Sequence, residues 1–244
     1  MLSNPSPHSC PVPGDTLRIV TWNCAMAFRR KWPQLLALRP DIAVIQECET
    51  PDRWPAIGAS SMLWHGENRN KGLAVVSFGD WRAESAFAAP RDLRYFLPVR
   101  IAGRRVFNLL AVWAMGACDL GIGYIYQVQA AVQRYRPWLA DAPSVVAGDW
   151  NANPLWDRPA RSRTPFQGTV RTLHEIGIVS AYHSHRQSQH GSEVDMTYRS
   201  SKGVGYHIDY CFVPHAWAIC EARVHIDLVP KVSDHAPVIV DLRF

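Results

Sequence analysis

Short runs of apolar residues recur along the chain between polar segments, and they predict a series of short β-strands. Two of these runs flank Ala102-Gly103-Arg104 and predict a β-hairpin that turns there. Most of the runs are apolar throughout rather than alternating, a pattern typical of strands covered on both faces. The predicted strands are 17–22, 42–46, 73–78, 95–101, 105–113, 144–147, 196–199, 208–213, 217–226 and 238–244.

Helical periodicity appears between some of these strands. Phe28, Trp32 and Leu35 lie on one face of a predicted helix that ends before Pro40. The polar segments 153–167 and 183–193 are interpreted as loops. The predicted helices are 28–38, 124–139 and 170–176.

This alternation of covered strands and helices indicates an α/β sandwich of several layers. No internal repeat or linker divides the body, so residues 16–244 are expected to form a single domain. The segment 1–15 is rich in Pro and Ser and is expected to be a flexible tail.

Composition narrows the class of protein. The chain has 244 residues, of which 48% are hydrophobic and 19% charged, so it can bury a substantial core. No stretch approaches the ~18 apolar residues that span a bilayer, and no signal peptide is evident. The six cysteines form no Cys-x-x-Cys pair and are interpreted as reduced thiols, which favours a cytoplasmic protein. The net charge of +5 fits a nucleic-acid partner, although ordinary surface charge explains it as well.

Several apolar runs end on an oxygen-bearing side chain. Because strand ends can gather at one sheet edge, these side chains are expected to form one cluster of hard oxygen donors. Such donors select Mg²⁺ or Mn²⁺ over zinc, and Mg²⁺ commonly uses only one or two carboxylates. Glu47 is therefore the first expected metal ligand, followed by Asp234 and Asn23. The full donor set is Asn23, Glu47, Asp149, Asn151 and Asp234.

Proton chemistry can be assigned to the same cluster. Asp149 is expected to orient or deprotonate an attacking water, and Asn151 to hold the phosphate or that water through its amide. His235 is expected to hydrogen-bond a phosphoryl oxygen or to act in acid–base chemistry. Asp209 would fix the orientation and tautomer of His235.

The residues of this cluster lie in five short motifs. In order along the chain, the motifs resemble those of the endonuclease/exonuclease/phosphatase superfamily, which includes DNase I, the abasic-site endonucleases, the inositol polyphosphate 5-phosphatases and the neutral sphingomyelinases. The resemblance implies a DNase I-like, four-layer α/β sandwich of two packed mixed β-sheets flanked by helices. It also implies Mg²⁺- or Mn²⁺-dependent hydrolysis of a phosphoester at one sheet edge. The matching motifs are Thr21-Trp22-Asn23, Gln46-Glu47, Gly148-Asp149-Trp150-Asn151, Ile208-Asp209-Tyr210 and Ser233-Asp234-His235.

One position departs from the family pattern. Many members carry a histidine near the end of the central strand as a general acid, and Trp113 occupies that position here. The abasic-site endonucleases use a nearby tyrosine instead, and Tyr124 and Tyr126 are the candidates for that role. Packing on the predicted helix is the favoured interpretation of both tyrosines, so the leaving-group acid is unassigned.

Residues near the cluster suggest how a substrate is held. Arginine forks suit phosphates, and the lysine of the loop before strand 73–78 can serve the same purpose. Trp150 and Trp156 are candidates for stacking on a base. The predicted substrate contacts are Arg158, Arg161, Arg163, Lys71 and Trp150.

Three functions remain open at this point. The first is a nuclease acting on DNA or RNA by in-line attack of an activated water. The second is a phosphatase or phosphodiesterase for a small molecule or lipid headgroup. The third is a catalytically silent binding module. No membrane association and no obligate protein partner are expected.

Overall fold

The computed structural model describes residues 16–88, 90–116, 121–157, 165–229 and 231–244. The predicted flexible tail, 1–15, lies outside these ranges. Two six-stranded mixed sheets and a separate two-stranded ribbon make up the β-structure of the described residues.

The first sheet contains both ends of the described chain. β1 is parallel to β2, whereas every other neighbouring pair in this sheet is antiparallel. Its strands are β1 (Thr16–Asn23), β2 (Ile42–Cys48), β3 (Ser61–Asn68), β4 (Lys71–Ser77), β13 (Ala218–Val224) and β14 (Val238–Arg243), in the order β13-β14-β1-β2-β4-β3.

The second sheet repeats this plan with one central parallel pair, β7 and β8, among antiparallel neighbours. Its strands are β5 (Arg82–Ser85), β6 (Phe96–Ala102), β7 (Phe107–Trp113), β8 (Ser144–Asp149), β9 (Ile178–Ser180) and β12 (Asp209–Pro214), in the order β5-β6-β7-β8-β12-β9. The ribbon pairs β10 (Tyr198–Arg199) with β11 (Gly205–Tyr206).

Alternate residues of each strand divide between two apolar layers. Leu109 and Ala111 of β7 pack between the sheets with Ile19 of β1, whereas Leu110 and Val112 face outward. Because successive strand side chains point to opposite faces, a strand covered on both sides reads as continuously apolar. Both faces of the second sheet are therefore buried, as the sequence pattern predicts.

The helices of the described residues are α1 (Trp32–Ala37), α2 (Tyr124–Asp141), α3 (Pro165–Glu175) and α4 (Ala181–Arg186). The first three cover the outer faces of the sheets, whereas Ala181 of α4 packs in the layer between them. Phe166 and Val128, from α3 and α2, pack on the second sheet, and Leu35 of α1 packs on the first. The result is a helix–sheet–sheet–helix arrangement, which confirms the predicted DNase I-like α/β sandwich. No helix of the described ranges has the length and hydropathy needed to cross a membrane.

Several predicted elements differ in detail. The helix expected over 28–38 is a short 3-10 turn, Phe28–Arg30, followed by α1, which has a proline at its start. The predicted loop 183–193 begins within α4. The pattern missed β3, β5, β9 and β11, and β3 lies at the edge of its sheet with no residue fully buried. An edge strand whose two faces are both partly exposed to solvent lacks the continuous run of apolar residues found in the central strands.

Candidate active site

Polar residues from both sheets meet in one cleft of ≈ 410 Å³. Asn23 ends β1, Asp149 ends β8 and Asp209 begins β12, so the sheets deliver these residues to the same edge of the sandwich. The residues lining the cleft are Asn23, Glu47, Tyr124, Asp149, Asn151, Trp156, Tyr198, Tyr206, Ile208, Asp234 and His235.

Glu47 is directed to the cleft by a bulge in β2. The pairing of β2 with β4 shifts between Gln46 and Cys48, and Glu47 has a left-handed φ of 61°. A non-glycine residue in this region carries about 1–3 kcal/mol of strain, and such strain clusters at functional sites. Glu49, two residues on, is instead fully engaged by the backbone N–H groups of Phe28 and Arg29 at 2.7 and 2.9 Å. Glu47 is therefore the carboxylate of this motif that stays available to the cleft.

Asn23 connects carboxylates that come from different sheets. Its Nδ2 donates to Asp149 Oδ2 at 3.0 Å and to Glu47 Oε1 at 3.3 Å. Its Oδ1 accepts a hydrogen bond from the N–H of Ala25 at 3.1 Å, and Ser233 Oγ donates to its main-chain carbonyl at 2.7 Å. The side chain is thus fixed on every side, and it orients both carboxylates.

Asp149 lies at the centre of the site and is fully buried. Its Oδ1 accepts from the N–H of Asn151 at 2.8 Å, and its Oδ2 accepts from Asn151 Nδ2 at 3.0 Å. The same amide donates to Ala114 O at 2.9 Å, and Asn151 itself has a left-handed φ of 47°. Burial raises the pKa of Asp149, and the nearby Asp209 carboxylate raises it further, to about 7.

His235 and Asp209 form a buried pair. His235 Nδ1 and Asp209 Oδ2 are 2.9 Å apart, and the backbone of His235 is held by Ser233 Oγ at 3.0 Å and Trp22 Nε1 at 3.1 Å. Burial alone would lower the pKa of His235, but the carboxylates of Asp209 and Asp149 outweigh it and raise that pKa to about 9. The predicted pairing of these two residues is present, and the carboxylate fixes the orientation of the ring.

A lysine neutralises one cleft carboxylate. Lys71 Nζ lies 3.1 Å from Glu47 Oε2 and 5.1 Å from the centre of the Trp113 ring. Trp113 is only 1% exposed and packs against Tyr95 at 4.5 Å between ring centres. Trp113 therefore offers no acid to the cleft, and its ring serves as a floor for the ammonium group of Lys71.

Not every predicted substrate contact reaches the cleft. Trp150 is fully buried and stacks on Phe212, with ring centres 4.8 Å apart. Side chains along β8 point alternately to the two faces of the sheet, and the ring of Trp150, the next residue, points into the apolar layer between the second sheet and its helices. This corrects the expectation that Trp150 stacks on a base. The three predicted arginines, Arg158, Arg161 and Arg163, lie outside the described residues.

The structure adds residues that sequence patterns did not indicate. Tyr198 lies with its ring centre 4.8 Å from that of His235, and Tyr206 lies 5.1 Å from Trp156. Thr197 is fully buried, and its hydroxyl accepts from the N–H of Asp209 at 3.0 Å, which positions that carboxylate. All three come from or next to the short ribbon. The predicted strand 196–199 includes Thr197 and Tyr198, but the apolar pattern does not mark either as a site residue.

The donor set fits a divalent cation. The carboxylates of Glu47, Asp149 and Asp234 line one cleft, and Asp209, which pairs with His235 of that cleft, has a buried Oδ1 without a hydrogen-bond partner among the described residues. Donor atoms of Asp149, Asp209 and His235 also lie within 4.8 Å of one another, but the His235–Asp209 hydrogen bond already occupies two of them. Glu47 and the exposed Asp234 are the carboxylates that remain accessible, and a cation there would offset the excess negative charge.

Comparison with known proteins agrees with this arrangement. The model of the Endonuclease/Exonuclease/phosphatase family matches residues 20–235. Among curated protein sequences, none gives a significant match.

Solved structures share the fold at low sequence identity. An AP endonuclease from Archaeoglobus fulgidus is 20% identical, with a TM-score of 0.68 over 92% of this chain and 98% of that one. The AP endonuclease LMAP from Leishmania major is 15% identical, with a TM-score of 0.69 over 96% and 89%. The endonuclease domain of TRAS1, a telomere-specific non-LTR retrotransposon, is 18% identical, with a TM-score of 0.66 over 93% and 98%. The motif order, the two-sheet sandwich and the family match over most of the chain lead to one conclusion: the chain belongs to the endonuclease/exonuclease/phosphatase family.

Proposed function

We propose that this protein is a divalent-metal-dependent phosphodiesterase that hydrolyses DNA or RNA, with residues 16–244 acting as one catalytic domain. The observation that carries the proposal is the convergence of Glu47, Asn23, Asp149 and Asp234 on one cleft beside the His235–Asp209 pair. Carboxylates and a positioned histidine at one site are the groups that metal-assisted phosphoester hydrolysis requires.

Glu47 and Asp234 would hold Mg²⁺ or Mn²⁺, with Asn23 in support. When bound, the cation supplies charge stabilisation to the phosphoryl oxygens and lowers the pKa of nearby water. Lys71, which pairs with Glu47 through its flexible side chain, would then be able to contact a substrate phosphate.

The remaining polar groups have separate proposed roles around the reacting phosphorus atom. Asp149 and Asn151, joined by two hydrogen bonds, orient the attacking water for in-line displacement. His235, held by Asp209 through Nδ1, presents Nε2 to a phosphoryl oxygen. Tyr124 lines the same cleft, and its phenol is our candidate for protonating the leaving oxygen.

A nucleic-acid substrate is supported by charge and by structural likeness. The chain carries a net charge of +5 although three carboxylates line the cleft, so its remaining surface is more basic than the total indicates. The solved structures with the same fold include two AP endonucleases and a retrotransposon endonuclease domain.

The test uses plasmid DNA, a structured RNA and bis-p-nitrophenyl phosphate, each with Mg²⁺, Mn²⁺ or EDTA. We expect metal-dependent cleavage of a polymer that EDTA abolishes. Glu47→Gln should reduce the rate at least about 100-fold because the metal loses its accessible carboxylate. The matched control is Glu175→Gln, an exposed carboxylate that pairs with Arg136 on the helical surface.

Asp209→Asn provides an independent check of the histidine pair. It removes the charge that orients His235, so kcat should fall by about 10²–10⁴-fold while KM changes little. Cleavage of the small ester alone would remove the nucleic-acid part of the proposal. Wild-type rates in Glu47→Gln would remove the proposed site itself.

A further inference from the structure

A left-handed turn made of residues 25–27 lies just beyond the end of β1. Ala25, Met26 and Ala27 have φ values of 49°, 67° and 52°, so three consecutive residues other than glycine lie in the left-handed region. Such residues are strained because the Cβ crowds nearby main-chain atoms, and they usually occur singly. The conformation persists only where surrounding contacts enforce it. The contacts around this turn therefore determine the path of the main chain after Asn23.

A buried carboxylate holds the far end of the turn. Glu49 is only 1% exposed, and its Oε2 accepts from the N–H of Phe28 at 2.7 Å. Its Oε1 accepts from the N–H of Arg29 at 2.9 Å and from Arg29 Nη1 at 3.0 Å. These N–H groups begin the 3-10 turn, and Ala27, which precedes it, has no side-chain acceptor to offer them. Glu49 supplies the acceptors that a capping side chain normally provides.

A lysine holds the near end of the turn. Lys31 Nζ donates to the carbonyl oxygens of Cys24 and Ala25, at 2.5 and 3.1 Å. The N–H of Cys24 in turn donates to Gln46 O at 3.0 Å, which continues the pairing of β1 with β2 beyond Asn23. The left-handed turn is thus fixed at both ends by buried or partly buried polar contacts.

The turn reaches the cleft through one side chain. Asn23 Oδ1 accepts from the N–H of Ala25 at 3.1 Å. Its Nδ2 consequently faces Asp149 and Glu47, at 3.0 and 3.3 Å. A side-chain amide has an acceptor at one end and donors at the other, so the N–H of Ala25 decides which end the two carboxylates meet. If the turn changes its path, the amide loses the contact that orients it.

We propose that Glu49 and Lys31 are positioning residues of the catalytic site, because they hold the left-handed turn that orients the amide of Asn23. The inference rests on the proposed phosphodiesterase function and adds to it two residues that are not part of the cleft lining. Glu49 follows Glu47 by two positions. One short segment therefore supplies both a proposed metal ligand and the support of a neighbouring site residue.

Two single variants release the turn from opposite ends. Glu49→Gln replaces one acceptor oxygen with an NH₂ group, which then meets an N–H donor. Lys31→Met keeps the aliphatic stem and removes the ammonium group. In each variant, kcat for the substrate that the wild-type protein cleaves should fall about 10²-fold, because the groups around the reacting phosphorus atom lose their alignment. KM should change little, because neither side chain lines the cleft.

Two combined variants test the route from Glu49 to the cleft. Glycine adopts a left-handed φ without strain, so Ala27→Gly added to Glu49→Gln should raise kcat at least about tenfold above that of Glu49→Gln alone. Asn23→Ala removes the amide itself, so Glu49→Gln added to it should lower kcat no further. Full additivity of the two losses, or no recovery with glycine, would show that Glu49 does not act through the turn.

Nuclear magnetic resonance tests the inference without hydrolysis. The side-chain amide signals of Asn23 are assigned by their loss in Asn23→Ala, and they should shift in Glu49→Gln and in Lys31→Met. The matched control is Glu193→Gln, which alters another buried carboxylate that accepts from a main-chain N–H, that of Gly191 at 2.9 Å. The control should leave the Asn23 signals and kcat unchanged, and thermal melting of every variant verifies that the fold persists.

These outcomes separate the inference from the proposed function. Shifted Asn23 signals in both single variants, with none in Glu193→Gln, support the positioning role even if no substrate is cleaved. Unchanged Asn23 signals in both single variants overturn it and leave the catalytic proposal to the test with Glu47→Gln. Wild-type kcat in both variants of an active protein overturns it as well.

Discussion

Gly148 provides the sharpest test of how the sandwich builds its catalytic edge. This residue pairs with Val112 in the parallel β7–β8 ladder, directly before Asp149, and has φ +147°. A Cβ at this position would lie 1.8 Å from the carbonyl oxygen of Val112. Because both partners are main-chain atoms of central strands, no side-chain rotation relieves the overlap, and the strands must separate.

The expected cost of Gly148→Ala has two parts. The backbone conformation alone costs a non-glycine residue about 1–3 kcal/mol. Separation of two central strands adds lost hydrogen bonds and packing, which places the total in the exceptional class above about 4 kcal/mol. For a domain of this size, each kcal/mol lowers Tm by about 2–4 °C, so Tm should fall by roughly 8–16 °C.

The control is Gly58→Ala. Gly58 also has a positive φ, +71°, but nothing lies within 4 Å of its added Cβ. Only the left-handed backbone penalty of about 1–2 kcal/mol applies there. Urea unfolding of both variants isolates the steric part, which should be at least about 2 kcal/mol. Equal losses in the two variants, or a Gly148→Ala protein as stable as wild type, would refute the reasoning.

Other predictions address the ion pair, the acid response and the buried tryptophan. Lys71→Gln removes the cation that competes for Glu47, so calorimetry should show Mg²⁺ binding strengthened several-fold; weaker binding would contradict the ion pair as a competitor. Burial and neighbouring histidines lower the pKa of His190 to about 3, so the unfolded chain binds more protons once the pH drops below 6.5 and stability is lost as the medium becomes more acidic. Hydrogen bonds outweigh burial and lower the pKa of Glu193 to about 2, so its stabilising contribution is lost from pH 4.5 downward. Below pH 4.5, melting curves should show Tm falling more steeply in the wild type than in Glu193→Gln. Trp150→Phe should leave KM for nucleic acid unchanged, because the ring that it alters is fully buried; a raised KM would restore the base-stacking role that the structure removes.

The central strands could be predicted because two-sided burial imposes a continuous apolar run. β1, β2, β7 and β8 all show this run, and β1, β2 and β8 each contain a polar residue that lines the cleft. The order of those residues along the chain was sufficient to place Glu47, Asp149 and His235 together. Their clustering follows from sheet topology, which directs the same ends of these strands to one edge.

Other parts of the site depend on interactions that no local pattern encodes. The left-handed φ of Glu47 arises from a bulge set by pairing with β4, and the support from Thr197 comes from a buried hydroxyl in a polar segment. The ion pair between Lys71 and Glu47 joins two strands whose pairing had to be known first. Trp150 was assigned to the substrate because sequence places it between two site residues, yet strand alternation turns its ring into the core.

The position of β14 has a consequence for how the protein folds during translation. Residues 238–243 insert between β1 and β13, and they are preceded immediately by Asp234 and His235. Until that segment emerges, β1 keeps an unpaired edge, which is a template for pairing with other nascent chains. The same delay withholds the histidine and one proposed metal ligand. A nascent chain therefore lacks a complete cleft until Asp234 and His235 have been translated.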